Sequence, residues 1–185
     1  MRRRLIMIAG ISAILVAIVV TVAWFVLVQQ TRSAINKWAE IQRANGNDIS
    51  WQSLSFSGYP LRIDTHIDTP QVSFRQGDRD RQVNWKPQFL TFKISSIAPN
   101  AIDFDSPGAH DLQITFDDEI LATLIEAETL EGQARFPTGN YQRIEQLAGQ
   151  FADVRVTQSG QAEPVTVKQG SFDIMLGAET PIDPQ

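Results

Sequence analysis

The chain has 185 residues, of which 43% are apolar, and a formal net charge of −5. This length allows one membrane helix and one soluble domain, and it excludes two full soluble domains. Absence of cysteine excludes disulfides, thiolate metal sites and cysteine nucleophiles. Residues 1–48 carry six basic and two acidic groups, net +4, whereas residues 49–185 carry ten basic and nineteen acidic groups, net −9. The larger part therefore has no general attraction for nucleic acid, and we expect no nucleic-acid partner.

The N-terminal segment predicts a transmembrane helix. Residues 5–28 contain no charged side chain, and as a helix they span about 36 Å, enough to cross a hydrocarbon core of about 30 Å. A cleaved signal peptide also begins with arginines, but its apolar region is usually only about 7–15 residues long. The far end of this segment, Val22–Val26, offers a poor cleavage site. The sequence therefore favours an uncleaved anchor at residues 5–28, preceded by a tail of residues 1–4.

Flanking charge predicts the orientation of this helix. Arg2–Arg4 directly abut it, whereas Arg32, Lys37 and Arg43 are dispersed beyond its far end. Basic residues adjoining a span stay on the cytoplasmic side. We therefore expect a single-pass protein of the inner membrane, with a cytoplasmic N-terminus and a periplasmic C-terminal domain.

A juxtamembrane helix is predicted within residues 29–47. Ile35, Trp38 and Ile41 recur at helical spacing, and Asn45-Gly46-Asn47 ends the helix after about Ala44. Two interpretations are open: the helix packs on its own domain, or it dimerises with a second copy.

The remaining segment, residues 48–178, predicts one β-rich domain, followed by a loose tail of residues 179–185. Valine, isoleucine, threonine and phenylalanine occur there in short runs separated by turn residues. In the clearest run, Leu61, Ile63 and Ile67 alternate with Arg62, Asp64, His66 and Asp68. This alternation predicts a half-buried strand, which forms a hairpin with Trp51–Phe56 through the turn Ser57–Pro60.

The spacing of further strands predicts the fold class, a mainly β protein with an antiparallel meander or sandwich after its N-terminal helix. The predicted strands are Gln71–Arg75, Gln82–Trp85, Phe89–Ile97, Ala101–Asp105, Asp111–Phe116, Ile120–Glu126, Glu128–Phe136, Phe151–Gln158 and Val165–Leu176.

One predicted strand, Ile120–Ile125, is apolar at positions of both faces. The favoured interpretation is that both faces are covered, in a central strand or a short helix; the alternative is that one face lines an apolar cavity.

Signatures of catalysis are missing from the sequence, which contains no nucleophile elbow, P-loop, dinucleotide fingerprint or H-E-x-x-H motif. The best metal candidates are Asp64, His66 and Asp68, which lie about 6.5–7 Å apart along one strand face and offer nitrogen and oxygen ligands. The favoured interpretation of these three residues is a solvated polar face. We expect no enzyme activity and no cofactor.

A second acidic cluster comprises Asp103, Asp105, Asp111 and Asp117–Glu119. It lacks the spacing of a calcium loop, so turn acids are the favoured interpretation. Asp78–Arg81 alternates in sign and predicts the solvated tip of a hairpin.

Several short motifs carry a resemblance to a known family. After the anchor come Trp51, then Ser57–Ile63, then Trp85-Lys86-Pro87 and a strand that ends in Ile97–Asn100. Over about residues 1–116 this arrangement resembles the alphaproteobacterial family known as domain of unknown function 2125. The resemblance implies a membrane-anchored periplasmic protein without an assigned activity, and a short or truncated member, because family members are about twice this length. A looser likeness of architecture is to envelope proteins whose membrane helix precedes a curved β-sheet that shelters acyl chains.

Two functions are therefore considered. The first is a non-catalytic envelope protein that contacts the bilayer and binds a lipid or an envelope-protein partner. The alternative is a metal-dependent hydrolase of envelope substrates, built on Asp64, His66 and Asp68 with help from the region 103–119.

Overall fold

The structure is a computed structural model that describes residues 2–76, 81–95, 98–116, 119–138 and 143–176. Its single helix in these ranges, α1 (Arg2–Ala44), continues without a break beyond the apolar segment. Gly46 ends it with a φ of 84° and an N–H that donates to the carbonyl of Arg43 at 3.0 Å. The predicted continuation to Ala44 is confirmed, and α1 is long and apolar enough to span a membrane.

One side of α1 packs on the domain. Positions 6–19 are exposed all around the helix, whereas from Thr21 onward a stripe at helical spacing is half-buried or buried. Val28 and Ala39 are the fully buried members of this stripe, so packing on the chain's own domain is confirmed. Trp38 and Ile41 lie outside this stripe. Both are about half exposed, because the stripe turns past them at 3.6 residues per turn.

Strands contain most of the described residues beyond α1 and confirm a mainly β domain. They are β1 (Asp48–Ser50), β2 (Ser53–Ser57), β3 (Arg62–Asp68), β4 (Gln71–Gln76), β5 (Arg81–Pro87), β6 (Phe89–Ser95), β7 (Ala101–Asp105), β8 (Gly108–Phe116), β9 (Glu119–Ala127), β10 (Thr129–Arg135), β11 (Gln146–Gln158) and β12 (Val165–Met175).

All twelve strands belong to one antiparallel sheet. Most of them are halves of longer strands that bend once. One or two residues separate the halves in each of the pairs β1 and β2, β3 and β4, β5 and β6, β7 and β8, and β9 and β10. Each half pairs with the corresponding half of the neighbouring long strand, and β11 pairs with both β10 and β9. The sheet is therefore a seven-stranded meander of long, bent strands, the last of which is β12.

The bends line up across the sheet in a row that we call the crease. Thr69 has a φ of 45°, Gly108 a φ of 101° and Asp153 a φ of 46°, conformations that interrupt a regular strand. Hydrogen bonds still cross the crease: the N–H of Thr69 donates to Gln88 at 3.0 Å, and that of Gln88 donates to Ala109 at 2.8 Å. The crease therefore bends the sheet without opening it.

The crease divides the sheet into two halves that meet different levels of α1. The near half comprises β2, β3, β6, β7, β10 and the paired segments 146–152 of β11 and 169–175 of β12; the rest is the far half. In the near half the indole N–H of Trp24 donates to the carbonyl of Arg62 at 3.0 Å. In the far half the guanidinium of Arg43 donates to the carbonyl of Ile49 at 2.8 and 2.6 Å. The helix therefore runs alongside the edge of the meander from the near half to the far half.

Most predicted strands and the hairpin of β2 and β3 are confirmed, but some boundaries were wrong. Leu61 lies in the turn before β3 and is exposed, because the chain is still reversing direction there. Trp51 lies between β1 and β2, and the short β1 was missed. β11 begins at Gln146, five residues before the predicted start, since glycine and glutamine obscure its alternation.

The predicted covering of both faces of the segment 120–125 was also wrong. It forms part of β9, a central strand between β8 and β11, but Ile120 is 66% and Leu124 41% exposed. In a single sheet the neighbouring strands cover only the two edges of β9. Apolar side chains that point away from the sheet therefore stay in contact with solvent. Asp78–Asp80, Asp117, Asp118 and the tail 179–185 lie outside the described residues.

Candidate functional site

The near half presents an apolar face built by all seven long strands. Residues that pair directly on neighbouring strands point to the same side of a sheet, and the pairing places apolar residues of each strand on one side. This near apolar face contains Leu54, Phe56, Ile63, Thr65, Ile67, Leu90, Phe92, Ile94, Ile102, Phe104, Leu130, Ala134, Leu147, Phe151, Phe172 and Ile174.

Burial on the near apolar face falls with distance from α1. Ile63 and Ile67 of β3 are each only 7% exposed, whereas Ile174 at the opposite edge is 46% exposed. No side chain of this face on β7, β10, β11 or β12 is buried. The whole chain exposes 13492 Å², compared with about 8,900 Å² for a compact protein of this mass. Part of the excess comes from α1, and part from this open side of the sheet.

Three phenylalanine rings lie over glycines on this face. Phe104 faces Gly132 across β7 and β10, and Phe172 faces Gly149 across β11 and β12. A methyl group added to Gly132 would lie 2.5 Å from the Phe104 ring, and one added to Gly149 would lie 2.6 Å from the Phe172 ring. Phe151 and Gly170 form a third pair of the same kind. The rings therefore pack against the glycine backbone, so that this part of the face is a smooth aromatic surface.

The opposite side of the near half is polar, and its charged groups are paired. Lys93 Nζ lies 2.6 Å from Asp105 Oδ1, and the side-chain amide of Gln133 donates to Asp103 at 2.6 Å. Further along, the amide of Gln146 donates to Asp173 at 2.8 Å. A shallow groove of about 630 Å³ runs over these residues. Cross-strand pairs of this kind stabilise a solvated sheet face, which is sufficient to explain the groove.

The metal candidates Asp64, His66 and Asp68 lie on this polar side, but each is held by a protein partner. Asp64 is ion-paired with Arg62 at 2.6 Å, and Nδ1 of His66 lies 2.9 Å from the hydroxyl of Thr91. His66 Nε2 lies 3.0 Å from Asp68 Oδ1, and Asp68 also accepts a hydrogen bond from Ser53. The bond from Ser53 lowers the pKa of Asp68 most; partial desolvation opposes it, and the charge and hydrogen bond of His66 lower it further.

The second acidic cluster is divided between strands. Asp103 and Asp105 have the partners described above, Asp111 lies in β8, and Glu119 begins β9. Within the described ranges, no three His, Asp or Glu side chains lie together where they could hold a metal ion. The other histidine, His110, is buried at the crease, with its ring stacked on Trp85 and Nε2 2.7 Å from the carbonyl of Ser106.

The turn between β2 and β3 joins the near half to α1. The hydroxyls of Tyr59 and Thr21 lie 2.8 Å apart, and the Tyr59 ring packs edge-on against Trp24 at 5.6 Å between centroids. Gly58 allows this turn with a φ of 92°, where an added methyl would lie 2.8 Å from the carbonyl oxygen of Arg62. The near apolar face therefore begins beside residues 21–24 of the helix.

Sequence reasoning identified the polar side of β3 but missed the near apolar face as a surface. Its members come from strands that are far apart in sequence, and only the register brings them together. The one available signal was the alternation in each strand, which specifies an apolar side but not what covers it.

Comparisons with known proteins give one match. Neither the curated proteins nor the solved structures contain a significant match. A family model described as an uncharacterized protein conserved in bacteria, DUF2125, matches residues 24–183. This match covers the β domain beyond residue 116, where the resemblance seen in the sequence ended. The chain therefore belongs to the DUF2125 family.

Proposed function

We propose that this chain is a non-catalytic protein of the cell envelope, anchored by α1 in the inner membrane, whose periplasmic domain binds an acyl chain of a lipid on the near apolar face. The observation that carries the proposal is that this face is continuous across seven strands and yet carries no buried side chain on β7, β10, β11 or β12. An apolar surface of this extent marks a site of interaction.

Position favours a lipid as the occupant. The face begins where Trp24 and Thr21 contact the β2 and β3 turn, and the helix is still apolar at that level. A lipid can therefore reach the face from the bilayer along the apolar side chains of α1. An acyl chain also makes no hydrogen bonds, which suits a surface of phenylalanine rings and aliphatic side chains.

The free energy of burying an acyl chain bounds the strength of its binding to this face. Burial of each CH₂ group contributes about 0.8 kcal/mol, so ten such groups contribute a gross amount of about 8 kcal/mol. Part of this free energy is lost in ordering the chain, and lipid in the bilayer is already removed from water. The expected result is reversible binding.

Lipid cross-linking tests this function. Full-length protein is reconstituted with a lipid that carries a photoactivatable group near the end of its acyl chain, and cross-linked peptides are identified by mass spectrometry. Cross-links on α1 report the span, whereas cross-links on β10, β11 and β12 report the proposed site. Native mass spectrometry after gentle detergent extraction provides a second measure of retained lipid.

Two variants on the same strand, β12, provide the matched comparison. Ile174 belongs to the near apolar face and Ser171 to the polar side, and both are exposed. We expect Ile174→Asn to reduce cross-linking on the strands, because an amide lowers the affinity of the surface for hydrocarbon, and Ser171→Asn to leave it unchanged. Cross-links confined to α1 in the native chain, with no lipid retained on extraction, would overturn the proposal.

A further inference from the structure

The length of α1 that is free of the domain is too short to cross a bilayer alone. The first half-buried positions of α1 are Val20 and Thr21, so the uncharged segment that precedes the domain is residues 5–19. These 15 residues span about 22 Å as a helix, less than a hydrocarbon core of about 30 Å.

Residues beyond Thr21 continue the apolar side of the helix past the start of the domain. Val22, Phe25, Val26 and Leu27 are all exposed, with Val22 and Val26 opposite the stripe. The bilayer therefore extends to this level, where the opposite side of α1 already holds Tyr59 and Arg62. The first charged side chain after the span, Arg32, lies further along α1, with its guanidinium 5.2 Å from the centroid of the Phe56 ring.

The end of the near half at this level has the composition of a membrane-contacting surface. Tyr59 and Leu61 of the turn are 51% and 58% exposed, and Met175 at the other edge of the sheet is 73% exposed. Arg62 and Arg135 between them are exposed as well. These residues lie along one margin of the sheet, which we call the rim. The margin is formed by the paired ends of β3, β6, β7, β10, β11 and β12.

We propose that the rim is a second membrane contact, in which Tyr59, Leu61 and Met175 enter the bilayer interface and Arg62 and Arg135 bind anionic lipid headgroups. This inference rests on the proposed membrane span of α1, but it does not depend on acyl-chain binding by the near apolar face. Tyrosine and tryptophan prefer the headgroup level, and basic side chains near an anionic surface gain electrostatic attraction. The rim holds the sheet upright, with the lower end of its apolar face at the lipid surface.

Single labels test the rim, because the chain contains no cysteine of its own. A fluorophore is attached to Leu61→Cys, Met175→Cys, Gln161→Cys or Val16→Cys in the full chain, which is placed in nanodiscs that contain phosphatidylglycerol. Quenching by a doxyl group near the lipid headgroup reports proximity to the interface. Gln161 lies in the exposed turn between β11 and β12 at the far end of the sheet, and Val16 lies in the free part of α1.

We expect the doxyl lipid to quench the labels at positions 61 and 175 but not the label at position 161. The label at position 16 should be shielded from an aqueous quencher, which verifies the span. One outcome would overturn the rim and leave the span intact: the label at position 16 is shielded, but the labels at positions 61 and 175 are as exposed to water as the label at position 161. If position 16 is also exposed to water, the span itself fails.

The headgroup part of the inference has its own comparison. Replacing phosphatidylglycerol with phosphatidylcholine, or introducing Arg135→Gln, should reduce quenching at position 175. Gln150→Asn, on the same side of the neighbouring strand β11, should not. Equal quenching in all these samples would overturn the role of the arginines. If the rim labels are quenched but lipid cross-linking to the strands fails, only the acyl-chain site is rejected.

Discussion

Trp24 donates its indole N–H to the backbone carbonyl of Arg62 at 3.0 Å, although the two residues are 38 positions apart. This bond fixes the start of β3 against a helix that is apolar on both sides of the contact point. The ring of Trp24 also lies 5.3 Å from Phe25 and 5.6 Å from Tyr59, both edge-on. One side chain thus connects α1, the turn and β3, the second strand of the hairpin.

Trp24→Phe should weaken this junction. The substitution retains an aromatic ring but removes the donor, and the loss of one such hydrogen bond costs about 0.5–1.5 kcal/mol. The thermal midpoint of the full chain in detergent should fall, and protease should cleave the turn at Tyr59 more rapidly. Trp38→Phe is the matched control, because Trp38 is 47% exposed and is not one of the half-buried or buried positions of the stripe. Equal effects of the two variants would contradict the assigned role.

Gly149→Ala should destabilise the sheet, although alanine normally favours an extended strand over glycine by about 0.5–1 kcal/mol. The added methyl would lie 2.6 Å from the Phe172 ring and 2.9 Å from the carbonyl oxygen of Glu131, so the ring must leave its position. Thermal unfolding measures the change. The double variant Gly149→Ala with Phe172→Leu should recover part of the loss, and a single variant more stable than the native chain would contradict the packing.

These contacts show what the sequence could predict and what it could not. The alternation of Ile63, Thr65 and Ile67 with polar neighbours predicted β3 because one side of that strand is buried. The pairing of Phe172 with Gly149 depends on strand register, which forms between segments 23 residues apart. The crease could not be predicted either, because Thr69-Pro70 has the composition of an ordinary turn and only the ladder shows that the strands continue beyond it.

Thr65→Val should stabilise the protein. Thr65 lies on the near apolar face, is 1% exposed, and its hydroxyl has no hydrogen-bond partner among the described residues. Removing a buried, unsatisfied hydroxyl while keeping the shape recovers its desolvation cost, about 1 kcal/mol or more. Thr91→Val is the control in the adjacent strand: it removes the bond to His66 Nδ1 and should destabilise. Chemical denaturation of both variants in the same detergent gives the comparison.

Ser53→Ala should raise the pKa of Asp68, since the bond from Ser53 is the largest cause of its lowered value. A carboxyl group with a lowered pKa in the folded state contributes stability above its unfolded pKa and loses it as the pH falls through the folded value. The native chain should therefore exceed the variant in stability near neutral pH, and the difference should shrink in acid. Carbon-detected NMR titration of Asp68 measures the shift directly, and Ser55→Ala, opposite His66 in β2, should leave that titration unchanged.

Neutralising Arg2–Arg4 should change the orientation of the chain. These arginines directly precede the apolar segment, and Arg32, Lys37 and Arg43 follow it. Because the counts of basic residues are balanced, we expect proximity to the segment to decide the orientation. Without the triplet, the remaining basic groups favour a cytoplasmic position for the domain. A reporter that is active only in the periplasm, fused after Gln185, should work in the native chain and lose activity when the three arginines become glutamine. Neutralising Arg32, Lys37 and Arg43 instead should preserve activity and serves as the matched control. A native fusion that is active only with a cytoplasmic reporter would reverse the assigned orientation and place the apolar face on the other side of the membrane.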